Sequence, residues 1–121
     1  MTEITLAVTK EDGKRVDDGL RMFVNRDRSM RGTGRADWEP KEIRDGELGT
    51  TLDILAIIVS GVLGIPGAID VVSRWCRSQG SSQTVRIVVG SRSVTVEGTE
   101  DPAEIARLAE TLKAAVPPPA P

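Results

Sequence analysis

The chain of 121 residues contains no histidine, no tyrosine and a single cysteine, and each absence excludes a class of function. Histidine is the commonest general acid and base near neutral pH, so a Ser–His or Cys–His nucleophile pair cannot be built. Cys76 has no second cysteine for an intrachain disulfide, and without histidine the usual ligands of structural zinc are missing. We therefore expect a protein that is not an enzyme and that carries no cofactor or metal.

An excess of either charge is also missing, because 16 basic residues stand against 18 acidic ones. Nucleic-acid-binding domains carry a strong basic patch or stripe, so we do not expect nucleic acid as a partner. The first residues, MTEITLAVTKEDG, lack the basic start and long apolar core of a signal peptide. A lone cysteine fits a reducing compartment, and we expect a cytoplasmic protein.

Alternating apolar and polar residues predict strands at both ends of the chain. The first strand covers residues 4–8, and two more cover residues 83–89 and 93–97 around a loop of hairpin length at 90–92. A weaker second strand is predicted at residues 36–39, where Pro40 confines it to the edge of a sheet or ends it.

Helical spacing of apolar residues predicts a helix from Val16 to near Met30 and another that begins after Asp101. Asp101 is placed to cap this second helix, with Pro102 in its first turn and Glu104 at the capping-box position. Residues 117–121 form a proline-rich tail that we expect to be disordered, after a single domain over residues 1–116.

The apolar stretch LAIIVSGVLGIPGAIDVV, residues 55–72, raises the main structural question. We predict two helices, over residues 52–63 and from Pro66 to Gln79, that meet at the sequence GIPG. The fold class is then α+β: a small sheet of the first strand, the weak second strand and the hairpin, with helices packed on it, including this central apolar helical pair.

Three roles for the apolar pair remain open: a buried core, a surface for a partner or a second copy, and membrane insertion. Its uncharged run covers 16 residues between Asp53 and Asp70, whereas a transmembrane helix needs about 20. A membrane is therefore not favoured. The candidate contact residues for a partner or a membrane are Ile57, Ile58, Gly61, Val62, Gly64, Ile65 and Trp75. A candidate anion patch consists of Arg26, Arg28, Arg31 and Arg35, whose alternative role is a solvated helix end.

Taken together, these segments resemble the effector-associated constant component family of bacterial conflict systems, which is common in actinomycetes. The likeness covers nearly the whole chain and lies in the sequences ITLAV, LDILAIIVSGVLG, SRWCRS, TVRIVVGSRSVTVEG and DPAEIARLAETL. The resemblance implies a small non-catalytic protein encoded beside an effector, such as a caspase-like or trypsin-like peptidase, with a role in bacterial immunity. It supplies no functional residues.

Two functions follow from these observations, and the absence of histidine and of any recognisable motif argues against a third, an enzyme that uses carboxylates or a lysine. The first is an interaction module that scaffolds or regulates such an effector, with self-association into a homo-oligomer as a further kind of contact. The alternative is a membrane-active effector that inserts the apolar helical hairpin of residues 52–72.

Overall fold

Five strands form one antiparallel sheet, and three helices pack on it. The computed structural model describes residues 3–11, 14–43, 50–79 and 84–116. The elements, in chain order, are β1 (Ile4–Lys10), α1 (Asp18–Arg26), β2 (Gly34–Ile43), β3 (Thr50–Val59), α2 (Ile65–Ser78), β4 (Val85–Val89), β5 (Arg92–Val96) and α3 (Pro102–Lys113). The strand order across the sheet is β2-β3-β1-β4-β5. The predicted α+β class is confirmed.

The register of the sheet places its apolar side chains on the face that the helices cover. Leu6 in β1 lies opposite Ile57 in β3, and Val8 lies between Leu55 in β3 and Ile87 in β4. Because alternate residues of a strand point to the same face, these five side chains form one layer, and all of them are fully buried. The helices cover this layer with further buried side chains: Leu20, Val24, Ile69, Val72 and Leu112.

The predicted helix over residues 52–63 is wrong, because most of this segment is the strand β3. This strand pairs with β2 on one side and with β1 on the other. Both of its faces are buried: Ile57 faces the helices, and Ile58 on the opposite face is also buried. A strand buried on both faces shows a continuous apolar run instead of an alternation, and its β-branched residues suit a strand better than a helix.

The second predicted helix, from Pro66 to Gln79, is confirmed as α2, which contains Pro66 in its first turn. A strand followed by one helix replaces the predicted apolar helical pair, so the hairpin of residues 52–72 does not exist as two helices. In the described part of the chain, no helix has the length and apolar character that crossing a membrane requires.

Other local predictions hold with small shifts in their bounds. β2 lies at the sheet edge, as Pro40 predicted, and it is longer than residues 36–39. The hairpin loop between β4 and β5 consists of two residues, Gly90 and Ser91. Asp101 caps α3 by accepting a hydrogen bond of 2.8 Å from the backbone nitrogen of Glu104. The first helix was predicted over residues 16–30, and the observed helix, α1, is shorter. The predicted disordered tail at 117–121 lies outside the described residues.

A buried carboxylate joins the loop after β5 to α2. Glu100 is only 7% exposed, and it accepts hydrogen bonds of 2.9 Å each from Ser73 Oγ in α2 and from the backbone nitrogens of Glu97 and Gly98. Burial raises the pKa of Glu100, but the hydrogen bonds from Glu97, Ser73 and Gly98 outweigh it and hold the pKa below its ordinary value. The carboxylate is therefore part of the framework that fixes α3 relative to α2.

Candidate interaction surfaces

The seven candidate contact residues do not share one surface. Ile57 and Ile65 are fully buried in the core, and Ile58 is buried on the other face of the sheet. These three isoleucines stabilise the fold and present almost no area to a partner. The remaining four lie in two places, at the turn between β3 and α2 and in the second half of α2.

An exposed apolar turn connects β3 to α2. Among the described residues, Val62 and Leu63 are two of the three large apolar side chains that are exposed, and Leu63 is 88% exposed. They lie in a 3₁₀ turn, Val62–Gly64. Leu63 also borders a depression of about 290 Å³, whose other lining residues are Met30, Thr33, Ser60, Gly64 and Gly67. We call Val62, Leu63 and these lining residues the Leu63 surface.

Two glycines explain why this turn projects from the molecule. Gly61 has φ 129° and ψ 172°, a backbone region that is essentially restricted to glycine. A Cβ atom on Gly64 would lie 2.8 Å from Val59 Cβ, so only glycine lets the chain pass this close to the end of β3. The backbone nitrogen of Ser60 donates to the carbonyl of Thr33 at 3.0 Å and ties the turn to the segment before β2. The exposed side chains are thus held on a defined backbone.

A second depression, of about 460 Å³, lies between α1 and α2, and we call it the α1–α2 groove. It is lined by Gly19, Met22, Phe23, Arg26, Asp27, Trp75 and Gln79. The first four recur at i, i+3, i+4 and i+7, which places them on one face of α1 beside the buried stripe of Leu20 and Val24. This second stripe is visible in the spacing of the sequence, but that it lines a groove depends on how α1 packs against α2.

The four arginines of the candidate anion patch do not line one depression. Arg26 lines the α1–α2 groove, whereas Arg35 lines a different depression, where its Nη1 lies 3.2 Å from Glu3 Oε2. Arg28 and Arg31 are exposed in the turns between α1 and β2. An anion site at these residues stays a prediction.

Two kinds of reactive site can be examined among the described residues: a metal site and a nucleophilic thiol. Within the described ranges, no group of three or more cysteine, aspartate and glutamate residues is placed to hold a metal ion. Cys76 is buried, and burial together with the charge of Glu100 raises the pKa of its thiol to about 11. A thiol in this state is protonated at neutral pH and is a poor nucleophile.

Comparison with known proteins gives one match. A family model described as Effector Associated Constant Component 1 matches residues 8–113. This range extends from β1 to the last residue of α3, so it includes the Leu63 surface and the α1–α2 groove. No curated protein and no solved structure matches the chain.

Proposed function

Because the chain belongs to the Effector Associated Constant Component 1 family, we propose that it is a non-catalytic partner that scaffolds or regulates an effector protein. Membership of this family makes the chain an effector-associated component of conflict systems. A caspase-like or trypsin-like peptidase is the effector class that the sequence resemblance implies. The proposal places the contact on the Leu63 surface.

The exposure of Leu63 is the observation that carries this proposal. Full burial of a leucine side chain contributes about 1.5–3 kcal/mol, and at 88% exposure this chain gains little of it alone. Isolated exposed apolar residues are common, but Leu63 adjoins exposed Val62 and a depression on a turn fixed by Gly61. Binding of a partner that buries Leu63 would gain the free energy of transferring this side chain out of water. The cost in conformational entropy would be small, because the turn is already ordered.

The experiment is co-expression with the effector encoded beside this protein, followed by size-exclusion chromatography and a Kd measurement. We expect the unmodified chain to form a complex, and Leu63→Asp to weaken it by about tenfold or more, since ~1.4 kcal/mol corresponds to a factor of ten. Ser91→Asp is the matched control, because it adds the same charge at an exposed residue of the β4–β5 loop.

Two results would argue against the proposal. If Leu63→Asp binds the effector as tightly as Ser91→Asp, the Leu63 surface is not the contact. If the unmodified chain neither forms a complex nor changes the activity of the effector, the scaffolding and regulatory role fails. Light scattering on the chain alone separates a second copy from the effector as the occupant.

A further inference from the structure

The α1–α2 groove contains an unpaired hydrogen-bond donor. Trp75 is 4% exposed, and among the described residues no hydrogen bond uses its Nε1. Buried indole N–H groups usually have a partner, as Trp38 shows by donating from Nε1 to Asp18 Oδ1 at 2.7 Å. Every fully buried side-chain nitrogen or oxygen in the described part has a partner, so the unpaired Nε1 of Trp75 retains access to solvent.

Gly19 leaves this donor open to the groove. A Cβ atom built on Gly19 would lie 3.0 Å from Asp17 Oδ1, which accepts from the Gly19 nitrogen, and 3.8 Å from Trp75 Nε1, so a longer side chain here would cover the indole N–H. Gly19 is the second residue of α1 and lies in its first turn. Here it leaves room for an acceptor atom, such as a peptide carbonyl oxygen, beside Trp75.

The opposite end of the groove carries a positive charge. Arg26 is exposed and forms none of the ion pairs found among the described residues. Its neighbour Asp27 also lines the groove, but its Oδ2 lies 2.6 Å from Nη1 of Arg74, which balances the charge of this carboxylate. The end that contains Arg26 therefore favours a carboxylate.

Between the two ends the groove is apolar. Met22 is 40% exposed and Phe23 is half-buried, and both lie on the same face of α1. Gly19 and Arg26 are seven residues apart, which is about 10.5 Å along a helix. This length corresponds to roughly three residues of extended chain at about 3.3 Å each.

We propose that the α1–α2 groove binds a short partner segment with an apolar side chain and a carboxylate about two residues away. A backbone carbonyl of the segment accepts from Trp75 Nε1, the apolar side chain contacts Met22 and Phe23, and the carboxylate pairs with Arg26. The complementary charge and the unpaired donor favour this occupant over a wholly apolar one. The site is separate from the Leu63 surface and does not depend on the function proposed there.

The test uses the two tryptophans of the chain as reporters. In a ¹H–¹⁵N spectrum of the full chain, each indole gives one signal, and Trp38→Phe identifies which signal is Trp75. The probes are the peptides acetyl-Ser-Leu-Ser-Asp-Ser-amide and acetyl-Ser-Asp-Ser-Leu-Ser-amide, because the groove does not fix the direction of the segment. We expect one of them to shift the Trp75 signal saturably and to leave the Trp38 signal in place.

Matched changes separate this site from general charge attraction. Replacing the leucine of the peptide by serine, or its aspartate by asparagine, should weaken binding. Arg26→Glu should weaken it by about fivefold, as the loss of a rim ion pair predicts. Arg28→Glu makes the same charge change outside the groove and should leave the affinity unchanged.

Three results would overturn the proposal. The first is a Trp75 signal that neither peptide moves at millimolar concentration. The second is equal binding of the peptide without leucine. The third is an equal loss of affinity in Arg28→Glu and Arg26→Glu. Because both arginines are exposed, the backbone signals of each variant show directly that the fold is retained.

Discussion

Replacing Glu100 by glutamine tests whether a buried carboxylate holds the loop between β5 and α3. Glu100 Oε1 accepts from Ser73 Oγ and the Gly98 nitrogen, and Oε2 accepts from the Glu97 nitrogen. The amide of glutamine can replace one oxygen, but its NH₂ group then faces a donor. A buried donor left without an acceptor costs about 1–3 kcal/mol. We expect Glu100→Gln to lower the free energy of unfolding at pH 7 by roughly 2 kcal/mol.

The effect should depend on pH in one direction. The pKa of Glu100 in the folded protein lies below its ordinary value of 4.5, which we take for the unfolded chain. The carboxylate therefore contributes its full stabilisation above pH 4.5, and this contribution is lost as the pH falls through the folded pKa. The stability difference between the unmodified chain and Glu100→Gln should shrink over the same range.

Urea denaturation followed by circular dichroism, at neutral pH and in an acid series, measures both effects. Glu110→Gln is the matched control, since it makes the same chemical change at an exposed carboxylate whose ion-pair partner among the described residues is Lys113, at 3.0 Å. Ser73→Ala removes one of the three donors and should cost about 1 kcal/mol. The reasoning is refuted if Glu100→Gln is as stable as Glu110→Gln at pH 7, or if their difference does not change with pH.

Three further predictions concern the core, the Leu63 surface and the thiol. Ile57→Ala should lower the free energy of unfolding by about 2–5 kcal/mol in urea denaturation, because Ile57 is fully buried; a loss below 1 kcal/mol would contradict this core. Leu63→Ser should change stability by no more than about 0.5 kcal/mol, so an altered Tm would show that Leu63 has an intramolecular role. Cys76 should react with a disulfide reagent at pH 8 only after unfolding, because its thiol is buried with a pKa raised to about 11; rapid reaction of the folded chain would contradict this.

The elements that the sequence predicted well are those with local signals. The helix cap at Asp101 and the alternation on both sides of Gly90 determine structure within a few residues. Pro40 predicted an edge strand because it lacks the N–H that a second ladder would need. None of these inferences requires knowledge of distant contacts.

β3 could not be identified from the same kind of signal. A buried strand and a buried helix both give an unbroken apolar run, and the sheet position that decides between them depends on β1 and β2. The β-branched residues Ile57, Ile58 and Val59 favoured a strand. Gly61 and Gly64 then belong to the turn between β3 and α2 instead of the end of a helix.

The candidate surfaces were predicted in part for a related reason. Val62 and Trp75 were among the candidate residues and border an exposed turn and a groove, respectively. Leu63, the most exposed large apolar side chain of the described part, was not among them, because its exposure follows from the turn at Gly61. Phe23 packs partly against the core and also lines the groove, because α1 packs against α2.

Side chains of this protein occupy the backbone groups at the outer edge of β2. The side chain of Asn25 forms hydrogen bonds with both backbone groups of Ala36. Its Oδ1 accepts from the Ala36 nitrogen at 2.8 Å, and its Nδ2 donates to the Ala36 carbonyl oxygen at 2.9 Å. The Trp38 nitrogen donates to Asp37 Oδ1 at 2.9 Å, and Pro40 has no N–H to offer. A strand added at this edge would have to form hydrogen bonds with the outward-facing backbone groups of Ala36 and Trp38. It would therefore first have to break their contacts with Asn25 and Asp37. Binding at the two proposed sites, the Leu63 surface and the α1–α2 groove, would leave these contacts intact.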